Sequence, residues 1–309
     1  MKKYIVFDVG GTKVKHGIMQ EDYSTLTKDA YPTQCHHIDL FLSDMLKVIE
    51  MYTSLYEING VAISLPGYIN PHTGYSERAG SITALDKQNL KSLLEEKVTI
   101  NVEIENDGNC AALAEKLNGN AVDCTDFICL TIGTGIGGGI FINNQILHGG
   151  TFRGGEFGFM ITQGGQEIMH QNASTASLIH SYKKLKGMDK KENISGEEVF
   201  LEAINNPEVQ ALIDSWLKSL SYGIFNLAVT LNPQKLLIGG GVSAREDLIS
   251  QLNDHLEKLE FWKQFKIPIE ICKHKNDAGM VGALYNFRRK EELLSVRKTK
   301  FGVIAKINN

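Results

Sequence analysis

Two glycine-rich turns of matching design constrain this 309-residue chain more than any other feature. The first reads Asp8, Val9, Gly10, Gly11, Thr12, Lys13, and the second Gly133, Thr134, Gly135, Ile136, Gly137, Gly138, Gly139. Each lies between two apolar runs of strand character, 4–7 and 14–19 for the first, 127–132 and 139–142 for the second. Each therefore predicts a β-hairpin whose tight turn requires positive φ and leaves backbone N–H groups free. Free amides beside a Thr hydroxyl cradle phosphate oxygens well. One such hairpin is ordinarily a structural turn. Two in one chain predict a nucleotide held between two halves.

The residues around the first turn predict strands at 4–8, 14–19 and 25–31. A helix follows, with Leu40, Phe41, Met45, Val48, Ile49 and Tyr52 at i, i+3, i+4 spacing. A fully apolar strand at 60–64 is ended by Pro66-Gly67. That order implies a sheet that opens antiparallel and then takes a parallel strand through a helical crossover. Residues 68–86 read as loop, 88–96 as a polar helix and 99–105 as a strand, after which Asn106-Asp107 opens a helix over 108–117. Polar residues 118–125 mark a domain boundary. The plan then repeats: a hairpin over 127–142, helices through most of 172–229 with Ser177, Ile179 and Leu185 in the core, a strand at 235–238, and the turn Gly239-Gly240-Gly241. The basic stretch after Phe287 (Arg288, Arg289, Lys290, Arg297, Lys298, Lys300) reads as a solvated helix face and tail.

Composition excludes several classes of function. Thirty-two basic against 36 acidic residues give a net charge of −4, without the basic footprint that nucleic-acid binding uses. No apolar run approaches the ~20 residues of a membrane helix, and Asp8 interrupts the first strand, so no signal-peptide core is expected. The five cysteines are scattered, with no C-x-x-C pair, which indicates neither a zinc knuckle nor a disulfide framework. Cys110 and Cys129 read as buried small hydrophobes, and the cytoplasm is the expected compartment. Gly133-x-Gly135-x-x-Gly138 fits a dinucleotide fingerprint, but that motif must open a helix, and 139–142 reads as strand.

Further motifs carry a family likeness. Ser64-Leu65-Pro66-Gly67 forms an S-x-P-G turn, and Glu105-Asn106-Asp107 runs on to Asn109, Ala111, Ala112 and Glu115. Gly155-Glu156-Phe157-Gly158, Asn232-Pro233 with Gly239 to Ser243, and Asp277-Ala278-Gly279 with Gly282-Ala283 complete the set. Together with the two turns, these resemble the ROK family (repressors, open reading frames and sugar kinases). The resemblance implies an α/β, two-domain actin-like ATPase (ribonuclease H-like) fold. Each domain would be a mixed sheet flanked by helices, with the active site in the cleft between them. On that plan the domains are 1–118, joined by part of the C-terminal helix after about 288, then 119–287, with 288–309 as helix and tail.

The resemblance also implies an ATP-dependent sugar kinase. Phosphoryl transfer needs phosphates held in line, charge neutralised and the attacking hydroxyl oriented. Asp107 is the implied general base, accepting the proton of a hexose hydroxyl, the 6-OH of glucose or N-acetylmannosamine. The alternative for Asn106-Asp107 is a helix cap. Ser64, Pro66, Gly67, Asn106, Glu156 and His170 are the implied sugar contacts. Asp8, Gly10, Gly11, Thr12, Lys13, Gly133, Thr134, Gly135, Gly239, Gly240 and Gly241 are the implied ATP contacts. Asp8 would hold Mg²⁺ through water, since that ion keeps several waters. Zinc-binding members place a His after G-E-x-G and then a cysteine cluster. Here Phe159 replaces that His and no Cys lies between Cys129 and Cys272, so no zinc is expected. His170 falls near a sugar-binding Glu of those relatives, with an ordinary loop His as the other reading. A β-glucoside kinase and a non-catalytic sugar-binding regulator stay open as alternatives. Repressors of the family carry a DNA-binding domain first, for which the seven residues before Asp8 leave no room. A cytoplasmic homodimer with a small-molecule sugar substrate and no nucleic-acid or membrane partner is expected.

Overall fold

A computed structural model describes the backbone of residues 1–307 and the side chains of residues 1–295. Arg297, Lys298 and Lys300 of the basic tail lie outside the described side chains. The chain divides into two units: Met1–Leu117 with Gly149–Arg153 and Asp277–Asn309, and Asn118–His148 with Gly154–Asn276. The return to the first unit thus comes at Asp277, earlier than 288, and 149–153 also belongs there. The reason lies in the C-terminal helix, Ala278–Ile307. Its Met280, Val281, Leu284 and Phe287 are buried with Tyr4, Val6 and Ala62 of the first unit's sheet.

In the first unit, β1 (Lys3–Val9), β2 (Lys13–Gln20) and β3 (Thr25–Pro32) precede α1 (Ile38–Leu55) and β4 (Gly60–Leu65). A small antiparallel sheet of β5 (Tyr68–Ile69), β6 (Tyr75–Arg78) and β7 (Gln88–Asn89) follows, within the region expected to be loop and the start of a helix. Strands of two to four residues are too short for period-two alternation to show. Next come α2 (Leu90–Glu95), β8 (Val102–Asn106) and α3 (Asp107–Asn118). Helix α2 starts after 88 because Asn89 caps it, its side chain accepting from the Ser92 N–H at 3.0 Å. The main sheet has order β3-β2-β1-β4-β8, antiparallel through β1–β2 and parallel through β1–β4–β8, as the element order implied. All six residues of β4 are buried. Val61 and Ile63 pack with Phe41, Met45 and Ile49 of α1, and Ala62 packs with Cys110 and Ala114 of α3. A strand covered on both faces reads as a continuous apolar run.

The second unit repeats the plan. Its strands are β9 (Phe127–Ile132), β10 (Ile136–Ile142), β11 (Gln145–Ile146), β12 (Lys235–Gly239) and β13 (Ile269–Ile271), in order β11-β10-β9-β12-β13. Strand β10 begins at Ile136 rather than at Gly139, so Gly137 and Gly138 are strand rather than turn. A Cβ on Gly138 would collide with the Cys129 carbonyl, which explains glycine there. The helices are α4 (Met169–Asn172), α5 (Thr175–Lys186), α6 (Gly196–Ala203), α7 (Pro207–Leu231), α8 (Leu248–Leu256) and α9 (Trp262–Phe265). Ser177, Ile179 and Leu185 are not core: α5 turns Leu178 and Tyr182 inward, and Leu185 is 40% exposed. Cys110 and Cys129 are fully buried, and all five cysteines are free thiols. Among the described residues no helix is long and apolar enough to cross a membrane.

Candidate active site

In the first unit the site starts as a row across the sheet. The strand register sets Lys15 opposite Asp8, Asp8 beside Ser64, and Ser64 beside Glu105. Side chains at matching register positions of adjacent strands are neighbours. Lys15 Nζ accordingly donates to Asp8 Oδ2 at 2.9 Å, and Ser64 Oγ donates to Asp8 Oδ1 at 3.1 Å. The start of the C-terminal helix comes so close that a Cβ on Gly279 would collide with the Asp8 carboxylate.

The next turn of chain carries Asp107. It opens α3 directly after β8, the strand end at which parallel α/β sheets present ligands. Its Oδ1 accepts from the Gly108 N–H at 2.8 Å. The carboxylate meets solvent at its own atoms, yet protein surrounds it densely. That desolvation, opposed by the Gly108 bond and reinforced by the Asp8 charge, pushes its pKa up to about 6. Asn106 fits the helix-cap reading of Asn106-Asp107. Its Oδ1 accepts from the Asn109 N–H at 3.0 Å and its Nδ2 donates to the Gly67 carbonyl at 2.9 Å. It therefore caps α3 and clamps the Pro66-Gly67 turn. Buried Glu105 supports both neighbours, accepting from the Asn106 N–H and from Asn109 Nδ2, each at 2.9 Å.

The first glycine turn closes through Gly10 N–H to the Lys13 carbonyl at 3.1 Å. Thr33 Oγ1 holds the Gly10 carbonyl at 2.6 Å and Cys35 Sγ holds that of Gly11 at 3.0 Å. The N–H groups of Gly11 and Thr12 donate to no described residue, and Gly11, Thr12 and Lys13 are exposed. In the second unit, Gly133 N–H closes its turn on the Gly135 carbonyl at 2.9 Å, leaving Thr134 and Gly135 exposed with N–H groups that donate to no described residue. The expected positive φ is absent from Gly10, Gly11, Gly133 and Gly135. What the glycines supply is space: a Cβ on Gly11 would collide with Ser81 Oγ, and one on Gly135 would lie 3.1 Å from the His170 ring. Positive φ falls instead on Gly67 (+97°), Gly155 (+90°) and Gly240 (+84°).

Glu156 follows Gly155, whose missing Cβ lets the loop lie against the Gly138 carbonyl of β10. His170 stands on α4 with its Nδ1 accepting the Ile136 N–H at 3.0 Å, and burial lowers its pKa. Gly239, Gly240 and Gly241 end β12, where a Cβ on Gly240 would collide with the Ile132 backbone of β9. The structure thus gathers Asp8, Ser64, Pro66, Gly67, Asn106 and Asp107 around strand ends of the first unit. Glu156, His170, the second turn and Gly239 to Gly241 lie at strand ends and loops of the second. Sequence reasoning missed Lys15 and Ser81, and named Glu105 and Gly279 only as motif residues without a role at the site. The hairpin register was the available signal for Lys15, because the residue opposite Asp8 follows from the turn.

Residues 4–290 match the model of the ROK family. The chain is 36% identical over 296 residues to a β-glucoside kinase of Listeria innocua, covering 94% of this chain and 98% of that one. It is equally 36% identical to a β-glucoside kinase of Klebsiella pneumoniae, covering 93% and 96%. Among solved structures, the Lmo2764 protein of Listeria monocytogenes, for which an N-acetylmannosamine kinase activity has been suggested, superposes with a TM-score of 0.87. It is 36% identical, with 94% of this chain and 99% of that chain covered.

Proposed function

The chain belongs to the ROK family, and on that premise we propose that this sugar kinase transfers the γ-phosphoryl group of ATP to the 6-hydroxyl of a β-glucoside. The observation that carries the chemistry is Asp107, ionisable at the carboxyl end of β8 with its pKa pushed up to about 6. A carboxylate so tuned accepts a hydroxyl proton more readily than an ordinary Asp, yet is ionised at neutral pH. Gly11, Thr12, Thr134 and Gly135 supply backbone N–H donors for the phosphates, and Gly239 to Gly241 offer a bare backbone to adenosine. Glu156 would accept hydrogen bonds from sugar hydroxyls.

The donor set fits Mg²⁺ held by few protein oxygens. Among the described residues no three His, Cys, Asp or Glu side chains converge as a metal site. Both Asp8 oxygens already accept one hydrogen bond each. Asp8 would therefore hold the ion through water, and Mg²⁺ would supply charge neutralisation of the phosphates.

Two features support a β-glucoside over free glucose. Three relatives at 36% identity, from Listeria innocua, Listeria monocytogenes and Klebsiella pneumoniae, carry that name. After Glu156 comes a short loop closed by an Ile161–Ile168 bridge, and Phe159 just before it and Ile161 at its start are 51% and 56% exposed. Those apolar side chains would face an aglycone. Cytoplasmic location and a homodimer belong to the same proposal, supported by the five free thiols and by family likeness respectively. The test is ADP release from Mg-ATP with cellobiose, glucose, N-acetylglucosamine and N-acetylmannosamine. The proposal expects the highest kcat/KM for cellobiose. A clear preference for N-acetylmannosamine would replace the acceptor, and silence with every sugar would replace the reaction.

A further inference from the structure

Two buried thiols of the second unit lie together, and the chemistry above uses neither. Cys129 is in the middle of β9 and Cys272 directly follows β13; they are 0% and 5% exposed, with their Sγ atoms 3.5 Å apart. Strand β12 runs between β9 and β13, so a side chain would ordinarily separate the two sulfurs. The register removes it. Gly239 at the end of β12 stands beside Thr131 of β9, and the Cys272 N–H donates to the carbonyl of Ile238, just before that glycine, at 2.9 Å. A Cβ on Gly239 would lie 3.1 Å from Cys272 Sγ. The thiols therefore meet across the bare backbone of the first glycine of the Gly239 to Gly241 turn. That turn has little slack, since a Cβ on Gly240 would collide with the Ile132 backbone of β9.

We propose that Cys129 and Cys272 form a reversible disulfide when a peroxide reaches them, and that its closure distorts the Gly239 to Gly241 turn. The weaker nucleotide binding that follows rests on the kinase reading; the thiol chemistry does not. Disulfide sulfurs lie about 2.05 Å apart, so the pair must close by about 1.5 Å. Cys272 is the end that moves. It lies beyond the three-residue edge strand β13, whereas Cys129 sits in a strand paired on both sides. The path of that movement crosses Gly239. Cys272 is also the less buried thiol, and Lys273, His274 and Lys275 follow it, a basic setting of the kind that activates cysteines. Its sulfur attacks the peroxide, the O–O bond breaks, and a sulfenic acid and one water form. The Cys129 sulfur then displaces the sulfenic oxygen, which leaves as a second water with the Cys129 proton. Two thiols lose two electrons in all, and one peroxide is reduced to two waters.

The test treats the reduced protein with hydrogen peroxide, blocks the remaining thiols and maps the linked peptides by mass spectrometry. The map should join Cys129 to Cys272, and dithiothreitol should undo the link. Amide hydrogen exchange at Gly240 to Val242 should quicken on oxidation and recover on reduction. With cellobiose as acceptor, oxidation should raise the KM for Mg-ATP by about three- to tenfold, the effect of a small misfit at one contact. Cys129→Ala and Cys272→Ala should each keep the reduced parent's KM and escape that rise. A map without this link, a linked protein with unchanged exchange at the turn or an unchanged KM, or variants as sensitive to peroxide as the parent would overturn the proposal. If the reduced protein phosphorylates no sugar, the kinase reading fails by itself. The peptide map and the exchange at the turn then still decide whether the thiol pair closes and what it distorts.

Discussion

On the proposed mechanism, Asp107 would serve chemistry at the expense of stability. Its pKa rises from 3.8 to about 6 in the folded chain. The folded state therefore binds that proton more tightly than the unfolded chain does, and stability falls as pH rises through this window. Asp107→Asn keeps an oxygen for the Gly108 N–H and removes the charge. The variant should lose about 10²–10⁴-fold in kcat while melting no lower than the parent at pH 7, with the two curves converging near pH 4. In the unaltered protein, kcat/KM should fall on the acid side with an apparent pKa near 6, measured by ADP release across pH 5 to 8. Gly279→Ala tests Asp8 in the same way. The new methyl would collide with a carboxylate that Ser64 and Lys15 hold in place. The KM for Mg-ATP should rise severalfold with little change in melting temperature, and an unchanged KM would remove Asp8 from the nucleotide site.

At the scale of elements, the parts that read clearly in the sequence were those with strong periodicity. Strands β1, β2 and β4 and helix α1 are such cases, each an apolar pattern ended by a recognisable signal. The small sheet of β5 to β7 was illegible because its strands are short and polar. The starting point of β10 was misread because glycines in strand and in turn look alike, and only the close approach of the Cys129 carbonyl explains Gly138. Asn106 was legible as a helix cap, but its bond to the Gly67 carbonyl, between residues distant in sequence, was not. The C-terminal helix packs on α3 at Gly282, where a Cβ would collide with the Cys110 backbone carbonyl. Alanine would gain about 1 kcal/mol in helix propensity. Overpacking against an atom that cannot rotate away costs about 1–3 kcal/mol or more, so Gly282→Ala should be net destabilising. A urea midpoint at or above that of the parent would contradict this packing account.

Across the whole molecule, two sheets of one plan carry different chemistry at the same address. Where the first has the row Lys15, Asp8, Ser64, the second has Gly137, Thr131, Gly239. Charge at one row suits metal and phosphate, and bare backbone at the other suits close approach of a nucleotide. The duplication was visible in the sequence because both turns recur between apolar runs. The register that aligns these rows depends on pairing and was visible only in the fold. No Cys lies between Cys129 and Cys272, and in that stretch the chain forms the Ile161–Ile168 bridge and packs His170 on Phe159. Treatment with a zinc-selective chelator in excess Mg²⁺ should leave kcat and melting temperature unchanged, and activity restored only by added zinc would contradict the expectation of no zinc. The most direct test of the central claim is Mg-ATP turnover with cellobiose, measured side by side for the unaltered protein and Asp107→Asn. The account predicts cellobiose-dependent ADP release that falls by at least about 10²-fold in the variant. Near-equal turnover in the two proteins, or none in either, would contradict it.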